Sequence, residues 1–299
     1  MTTIQTFIER HPVLTYYVLT FILSWGGILL VIGGPGAIPS PSAQAMALLP
    51  VAILVMIIGP SVAGLLMTGL VQGRAGFRDL LARLLKWRVG VRWYAVALLT
   101  APLSVMAVLL ALARFSPAYR PGILTADDKA SLLLMGLAAG LAAGIFEELG
   151  WTGFAIPALR RRYRVLTTGL IVGVLWAGWH LLVYVWGSAD ASGAFSWALF
   201  LPEFAFFVAV LPVYRVLMVW VYDRTQSLLV AMLMHLAQTA ITTSILVPLA
   251  TGMARVTYYL VLGAVLWLVV AAVVVATHGQ FSRPGQPPAG RGTPQFMPR

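Results

Sequence analysis

The chain contains no cysteine and few charged residues. Charged side chains make up 10% of its 299 residues, with only 9 Asp or Glu against 20 Lys or Arg. The absence of cysteine excludes disulfides, thiolate nucleophiles and cysteine-ligated metal sites. The sequence also lacks a nucleotide-binding glycine loop and a serine-centred elbow, which excludes ATPase and serine-protease interpretations. A soluble domain carries roughly 25% charged residues, so this chain has too little polar surface to fold in water.

Apolar residues are abundant instead. Hydrophobic residues make up 60% of the chain and the mean hydropathy is +0.91. A water-soluble core cannot absorb this excess, and lipid is therefore the expected solvent for most of the chain. The net charge of +11 does not indicate nucleic acid, because the basic residues fall in blocks between apolar segments, as membrane-flanking loops require.

Eight segments of about 20 apolar residues predict an all-α, polytopic membrane helical bundle. The predicted spans are 13–34, 45–72, 93–113, 131–157, 165–188, 196–222, 226–248 and 255–278. We interpret 1–278 as a single transmembrane domain, and 279–299 as a disordered tail because of its Gly and Pro content. The alternative for the first span is a cleaved signal peptide, but the apolar core of this span is longer than is usual for one. Residues 77–88 are predicted to form an amphipathic helix on the membrane surface.

The distribution of Lys and Arg predicts the orientation. The basic blocks at 74–92 and 160–164, together with the tail, fall on one side of the membrane if both termini are cytoplasmic. Cytoplasmic loops carry the excess of Lys and Arg in membrane proteins. We therefore expect eight spans with both termini in the cytoplasm.

Two glutamates and two histidines within the predicted spans are the first functional candidates. Glu147 and Glu148 are in span four, His180 in span five and His235 in span seven. A charge within the hydrocarbon is costly, so such residues are functional candidates. The two glutamates project about 100° apart around a helix, so both can reach one polar cavity, where they are expected to titrate as a coupled unit. Carboxylates and imidazoles are the side chains of general acid–base chemistry.

Helical spacing suggests which side chains share a face. Trp176 and His180 are one turn apart, as are His235 and Thr239. At 1.5 Å per residue, Glu147 and His235 lie at roughly 15 Å and roughly 14 Å from the same membrane surface, whereas His180 is deeper, at roughly 22 Å. We expect spans four, five and seven to converge on one site.

The ordered set of motifs resembles the CPBP (Abi) family of CAAX-type intramembrane proteases, to whose superfamily the type II CAAX prenyl endopeptidases belong. The motifs are EELGW at 147–151, an aromatic-x-x-x-His ending at His180, and His-x-x-x-polar from His235. The resemblance implies that Glu147, with His180, activates a water, and that Glu148 supports the arrangement. It further implies that His235 and Thr239 stabilise the oxyanion. The family usually has Arg at the position of Thr152 and Asn at that of Thr239.

The resemblance implies a protease, of either glutamate/histidine or metalloprotease type. On the preferred interpretation no cofactor is needed; the alternative is a zinc ion on Glu147, His180 and His235. The spacing His-Glu-x-x-His, typical of zinc proteases, is absent. The expected partners are the lipid bilayer and a membrane-associated peptide or protein substrate, for which a prenyl group is one option, with no nucleic acid. We expect a multi-pass protein of the bacterial cytoplasmic membrane.

Two further classes of function stay open. The glutamates and histidines are also compatible with a proton-coupled transporter. A catalytically silent scaffold or immunity protein on the same fold is the other alternative, because of Thr152 and Thr239. Among the other charged residues, Glu203 is interpreted as a polar group near the membrane surface. Arg215 is expected to snorkel or to pair with Asp223, and pairing with a buried glutamate is the other option.

Overall fold

The computed structural model describes residues 3–39, 43–190, 192–277 and 281. Within these residues eight helical segments are long and apolar enough to cross a membrane, which confirms the predicted all-α bundle. No β-strand occurs in the described part of the chain, where Ala189 and Phe195 form an isolated bridge. The protein is therefore a multi-pass integral membrane protein. The predicted disordered tail, 279–299, lies outside the described residues except for Phe281.

The helices follow the predicted spans to within a few residues in most cases. Their bounds are α1 Thr3–Arg10, α2 Pro12–Ile32, α3 Ala43–Leu84, α4 Val91–Leu112, α5 Gly122–Thr125, α6 Lys129–Gly150, α7 Ile156–Arg160, α8 Val165–Gly187, α9 Trp197–Ala209, α10 Leu211–Thr225, α11 Leu228–Ala240 and α12 Gly252–Ala276. Short 3-10 helices lie at Pro35–Ala37 and Pro117–Tyr119, and π-helical turns at Trp151–Ala155 and Ile241–Ile245. Predicted span six corresponds to two helices, α9 and α10, which are separated at Val210.

Helix α3 contains both the second span and the predicted surface helix. The backbone of Gly73 has φ 59° and ψ −148°, a conformation that favours glycine, and the helix bends there. The helix ends at Leu84, so the last residues of the predicted segment 77–88 are not helical. On this part of α3, Phe77 and Leu81 are exposed while Leu80 is buried. One face of the segment therefore packs on the bundle and another is exposed.

Glycines bring α6 and α11 into close contact. A Cβ built on Gly140 would lie 2.5 Å from the carbonyl oxygen of Leu236, and one on Gly144 would lie 2.7 Å from that of Met232. Small residues allow membrane helices to approach closely. The glutamates begin less than one turn beyond Gly144, and His235 lies on the facing helix between Met232 and Leu236. Close packing of α6 on α11 thus places the carboxylates beside the imidazole.

We expect Gly140→Ala to destabilise the protein by about 1–3 kcal/mol, the usual effect of overpacking. The added methyl group would collide with backbone, which cannot move aside as a side chain can. Unfolding in detergent micelles measures the change. Gly26→Ala in α2 is the matched control, because a Cβ there has no neighbour within 4 Å. Equal stability of the two variants would contradict the proposed role of Gly140 in helix packing.

A second pair of helices, α8 and α10, packs equally closely. A Cβ on Gly169 would lie 2.5 Å from the Cα of Val216, and one on Gly173 would lie 2.5 Å from the Cα of Pro212. The Cβ of Arg215 is also within 3.2 Å of that position at Gly173. Trp176 follows Gly173 by one turn, so this contact brings Trp176 close to Arg215.

Candidate active site

Glu147 and Glu148 lie in the last turn of α6, where the helix continues into the π-helical turn Trp151–Ala155. Both carboxylates are buried, with 3% and 0% of their residue surfaces exposed. The π-helical turn supplies a hydrogen bond to each: the Trp151 indole donates to Glu147 Oε2 at 3.3 Å, and the Thr152 hydroxyl donates to Glu148 Oε2. Single π-helical turns inside α-helices are rare, and those that occur are often found at functional sites.

Glu148 is bound from three directions. Its Oε1 accepts a hydrogen bond from Arg215 Nη1 at 2.6 Å and contacts His235 Nδ1 at 2.7 Å, while Thr152 binds Oε2. Because the carboxylate is paired with Arg215, we assign the shared proton to His235 Nδ1, which then donates. The Glu148, Arg215 and His235 side chains are all essentially buried. The Glu148 carboxylate thus fixes the positions of the Arg215, His235 and Thr152 side chains.

Glu147 has a different environment. Its Oε2 accepts a hydrogen bond from the Trp176 indole at 2.7 Å, in addition to that from Trp151, and lies 3.9 Å from His235 Nε2. Among the described residues, none donates a hydrogen bond to Glu147 Oε1. One oxygen is therefore held by two indoles, and the other remains available to a water or a substrate, as a general base requires.

His180 lies one turn beyond Trp176 and further from the carboxylates than His235. Its Nδ1 is 2.8 Å from the carbonyl oxygen of Trp176. A carbonyl only accepts, so Nδ1 carries the proton and Nε2 presents a lone pair in the neutral ring. Neither nitrogen lies within the 4.0 Å ion-pair distance of a carboxylate oxygen in the described residues. The ring is half-buried and stacks on Phe207, with a centroid distance of 5.1 Å.

Of the three spans expected to converge, two meet directly at the carboxylates and the third contributes mainly Trp176. Spans four and seven meet through Glu147, Glu148 and His235, while span five contributes Trp176 directly and His180 at the edge. Thr239 lies one turn beyond His235 and is half-buried. Its hydroxyl donates to Gln238 Oε1 at 3.4 Å, and no contact between Thr239 and either glutamate occurs within the described residues.

The preferred interpretation of Arg215 from the sequence was wrong. Arg215 pairs with the buried Glu148, and Asp223 pairs with Arg160 at 2.6 Å instead. Arg215 lies in the second turn of α10 with its side chain completely buried in the bundle, eight residues before Asp223, so it neither reaches the membrane surface nor meets Asp223. An arginine in the middle of an apolar span was the signal that could have identified it. Glu203 is partly exposed and pairs with Arg255 at 3.3 Å, away from the site.

Arg215 also changes the significance of Thr152. The family usually has an arginine at residue 152, where this chain has threonine. Here the cation beside Glu148 is Arg215 of α10, and Thr152 adds a neutral hydrogen bond. Sequence reasoning gave the pairing of Arg215 with a buried glutamate only as the second option, and it missed the hydrogen bond from Trp176 to Glu147. Trp176 had been recognised only as the aromatic residue of a motif.

Arg83 links the bent end of α3 to the π-helical turn that follows the glutamates. Its guanidinium donates to the carbonyl oxygen of Gly153 at 3.0 Å and to the Tyr222 hydroxyl at 2.9 Å. A weaker contact reaches the carbonyl of Thr152 at 3.4 Å, and Asp79 binds Nε at 2.9 Å. This side chain therefore holds the π-helical turn, and with it the end of α6, against α3 and α10.

The predicted zinc ligands do not form a metal site in this arrangement. No group of three His, Asp or Glu side chains within the described residues is arranged to hold a metal ion. Of the predicted zinc ligands, Glu147 Oε2 is occupied by two indoles, and His180 Nδ1 faces a backbone carbonyl. Glu147 Oε1 and His180 Nε2 have no partner within the described residues. A zinc ion on Glu147, His180 and His235 therefore stays the alternative, and sensitivity to a chelator is its test.

The indole of Trp176 positions Glu147, and its removal gives a direct prediction. We expect Trp176→Phe to reduce the rate of any reaction that uses Glu147 by roughly 10- to 100-fold, the effect of losing a partner that orients a reacting group. Trp186→Phe on the same helix is the matched control. Trp186 is equally buried, but its indole nitrogen has no partner within the described residues. Equal rates for the two variants would contradict a positioning role for Trp176.

Comparison with known proteins gives two matches over this region. A family model described as type II CAAX prenyl endopeptidase Rce1-like matches residues 129–241. CAAX prenyl protease 2 of Methanococcus maripaludis is 28% identical over 101 residues, which cover 32% of this chain and 35% of that protein. The chain thus matches about a third of the length of this curated relative. The family match runs from the start of α6 to just beyond α11 and includes every side chain of the site, which confirms the resemblance inferred from the motifs.

Proposed function

We propose that the protein is an intramembrane endopeptidase that hydrolyses a peptide bond of a membrane-anchored or lipidated substrate. The observation that carries the proposal is the buried cluster in which Glu147 and Glu148 both face His235, one carboxylate fully bound and the other with a free oxygen. The match of residues 129–241 to the Rce1-like family model supports the same reaction. A general base in a water-poor cavity is what hydrolysis inside a membrane requires.

In the proposed reaction Glu147 Oε1 accepts a proton from a water, whose oxygen attacks the carbonyl carbon of the substrate. His180 Nε2, with its lone pair, is the second acceptor at the edge of the cavity. The C–N bond then breaks, and the proton passes from Glu147 to the leaving amine. One water is consumed, and one carboxylic acid and one amine are formed, since the second proton of the water stays on the new acid.

His235 is proposed to stabilise the oxyanion. Its Nδ1 is bound to Glu148, so Nε2 is the nitrogen that faces the Glu147 side of the cavity. With a proton on Nε2 it can donate to the carbonyl oxygen as negative charge develops. The charges of Glu147, Glu148, Arg215 and His235 then sum to zero, which limits the free-energy cost of burying them. The Thr239 hydroxyl, one turn away, is the proposed second donor, once its long 3.4 Å hydrogen bond to Gln238 Oε1 is exchanged for one to the substrate.

The substrate class follows from the surroundings of the site. The catalytic cluster lies within apolar helices, so a peptide must reach it from the membrane or its surface. The relative from Methanococcus maripaludis is named as a CAAX prenyl protease, and a C-terminal prenylated peptide is accordingly the first substrate to test. We further propose a bacterial cytoplasmic membrane location with both termini cytoplasmic, because the basic loops then lie inside.

The test is cleavage of fluorogenic reporter peptides by the full chain, purified in detergent and reconstituted in vesicles. Matched peptides carry a C-terminal prenyl group, an acyl anchor or no lipid, and each reaction is run with and without a metal chelator. We expect cleavage of anchored peptides that is insensitive to chelator. Loss of cleavage with chelator and recovery with zinc would overturn the metal-free mechanism. No cleavage of any peptide by folded protein would favour the silent scaffold, and proton flux in the same vesicles would favour the transporter.

A further inference from the structure

Arg215 is a completely buried cation in the second turn of α10, with 0% of its surface exposed. Its Nη1 binds Glu148, but Nε and Nη2 have no hydrogen-bond partner within the described residues. A buried guanidinium has five N–H donors and a large cost of desolvation. One hydrogen-bonded carboxylate does not satisfy such a group fully. The position of this side chain therefore needs an explanation other than stability.

Stability alone is a poor explanation on general grounds. Replacing a buried ion pair with apolar residues of similar volume is often neutral or stabilising. The surrounding residues of α10, such as Tyr214 and Val216, are buried and apolar or aromatic, so a Met or Leu would suit this environment. An arginine here indicates that the guanidinium has a specific task in the cavity.

The guanidinium contacts both halves of the catalytic cluster. On one side it binds Glu148, which in turn holds His235 Nδ1. On the other side its central carbon lies 4.0 Å from the ring centroid of Trp176, in a cation–π contact. The Trp176 indole donates to Glu147 Oε2. A single side chain thus restrains the partner of each reacting group.

The backbone geometry supports this arrangement. Helices α8 and α10 approach closely at Gly173. A Cβ built on Gly173 would lie 3.2 Å from the Cβ of Arg215. The planar guanidinium lies between the Trp176 ring and the Glu148 carboxylate and contacts both. A lysine ammonium lacks the planar surface that stacks on an indole.

We propose that Arg215 is a positioning residue of the catalytic cluster. It fixes the Glu148 carboxylate against His235 and, by stacking on Trp176, fixes the indole that holds Glu147. The inference rests on the proposed function and adds to it a residue from α10, which carries none of the sequence motifs. Thr152, which binds the other oxygen of Glu148, is the position from which a second cation can reach the same carboxylate.

The test compares Arg215→Met, Arg215→Lys and the double variant Thr152→Arg/Arg215→Met with wild type. We expect Arg215→Met to lower kcat by about 100-fold, the effect of a misplacement of about 1 Å, with little change in KM. Arg215→Lys should fall between Arg215→Met and wild type, because it keeps the charge and loses the stacking. The double variant should recover at least about tenfold of the lost kcat, since only the cation is restored.

Arg160→Met is the matched control. Arg160 also forms a buried ion pair, with Asp223, but lies outside the site. Its removal should lower thermal stability while kcat stays close to that of wild type. A wild-type kcat in Arg215→Met, or equal losses of kcat in the two Met variants, would overturn the proposal. If Arg215→Met does not fold, the other two variants decide. The proposal is overturned by a kcat for Arg215→Lys equal to that of wild type, or by a folded double variant whose kcat is still about 100-fold below that of wild type.

A measurement independent of cleavage separates this inference from the proposed function. In protein labelled with 5-fluorotryptophan, the resonance of Trp176, assigned with Trp176→Phe, should shift and broaden in Arg215→Lys but not in Arg160→Met. If wild type cleaves no peptide but this shift occurs, the proposed function fails and the positioning role of Arg215 stands. An unchanged Trp176 resonance overturns the positioning role whether or not wild type cleaves.

Discussion

Glu147→Gln is expected to reduce peptide cleavage by about 100- to 10,000-fold, the usual contribution of a general base. The amide keeps the size of the side chain, and its oxygen can still accept the hydrogen bonds from Trp151 and Trp176. It cannot take a proton from water. The rate of hydrolysis should therefore fall while the fold is retained. Initial rates with the anchored reporter peptide, together with a thermal unfolding curve, provide the measurement.

Glu203→Gln is the control for this variant, because Glu203 is a glutamate on another apolar helix, α9. Glu203 is partly exposed and pairs with Arg255, outside the cluster. We expect Glu203→Gln to cleave at nearly the wild-type rate. A Glu147→Gln protein with more than about a tenth of wild-type activity would show that Glu147 is not the base, since general bases contribute far more. His180, whose Nε2 has a lone pair, would then be the next candidate.

The second large effect concerns stability. Glu148→Ala should lower the free energy of unfolding by about 3–5 kcal/mol, because it leaves Arg215 as an uncompensated charge in the bundle. The variant also removes the partner of His235 Nδ1 and the acceptor of the Thr152 hydroxyl. Reversible unfolding in mixed micelles measures the loss. Activity should fall as well, since His235 is no longer held.

Two comparisons make this prediction specific. The double variant Glu148→Ala/Arg215→Met should regain much of the lost stability, because the buried charge has gone together with its partner, while activity stays low. Asp79→Ala removes the partner of Arg83 in an ion pair whose carboxylate is 62% exposed, and should change stability by no more than about 1 kcal/mol. If Glu148→Ala were as stable as Asp79→Ala, the ion pair with Arg215 would not be formed in the membrane.

Much of the architecture was predictable because the solvent is lipid. A segment that crosses a bilayer must be about 20 apolar residues long, and this requirement is visible in local composition. The eight spans were therefore found without knowledge of any contact between them. The predicted surface helix was less accurate at its end, because a bend at Gly73 and a stop at Leu84 depend on local backbone conformation. The separation of α9 from α10 at Val210 was missed for the same reason.

The sequence by itself determined the class of the fold and the four ionisable residues of interest, because charges within apolar spans stand out from their surroundings. Helical periodicity also placed Glu147 and Glu148 on neighbouring faces. Only the tertiary structure decided which partners these residues have. Arg215, Trp176 and Thr152 reach the carboxylates through the rotation and spacing of α6, α8, α10 and α11. The rotation and spacing of these helices depend on the close contacts at Gly140 and Gly173 and on the π-helical turn after Gly150. A shift of a few ångströms in any of them would separate the partners of an ion pair.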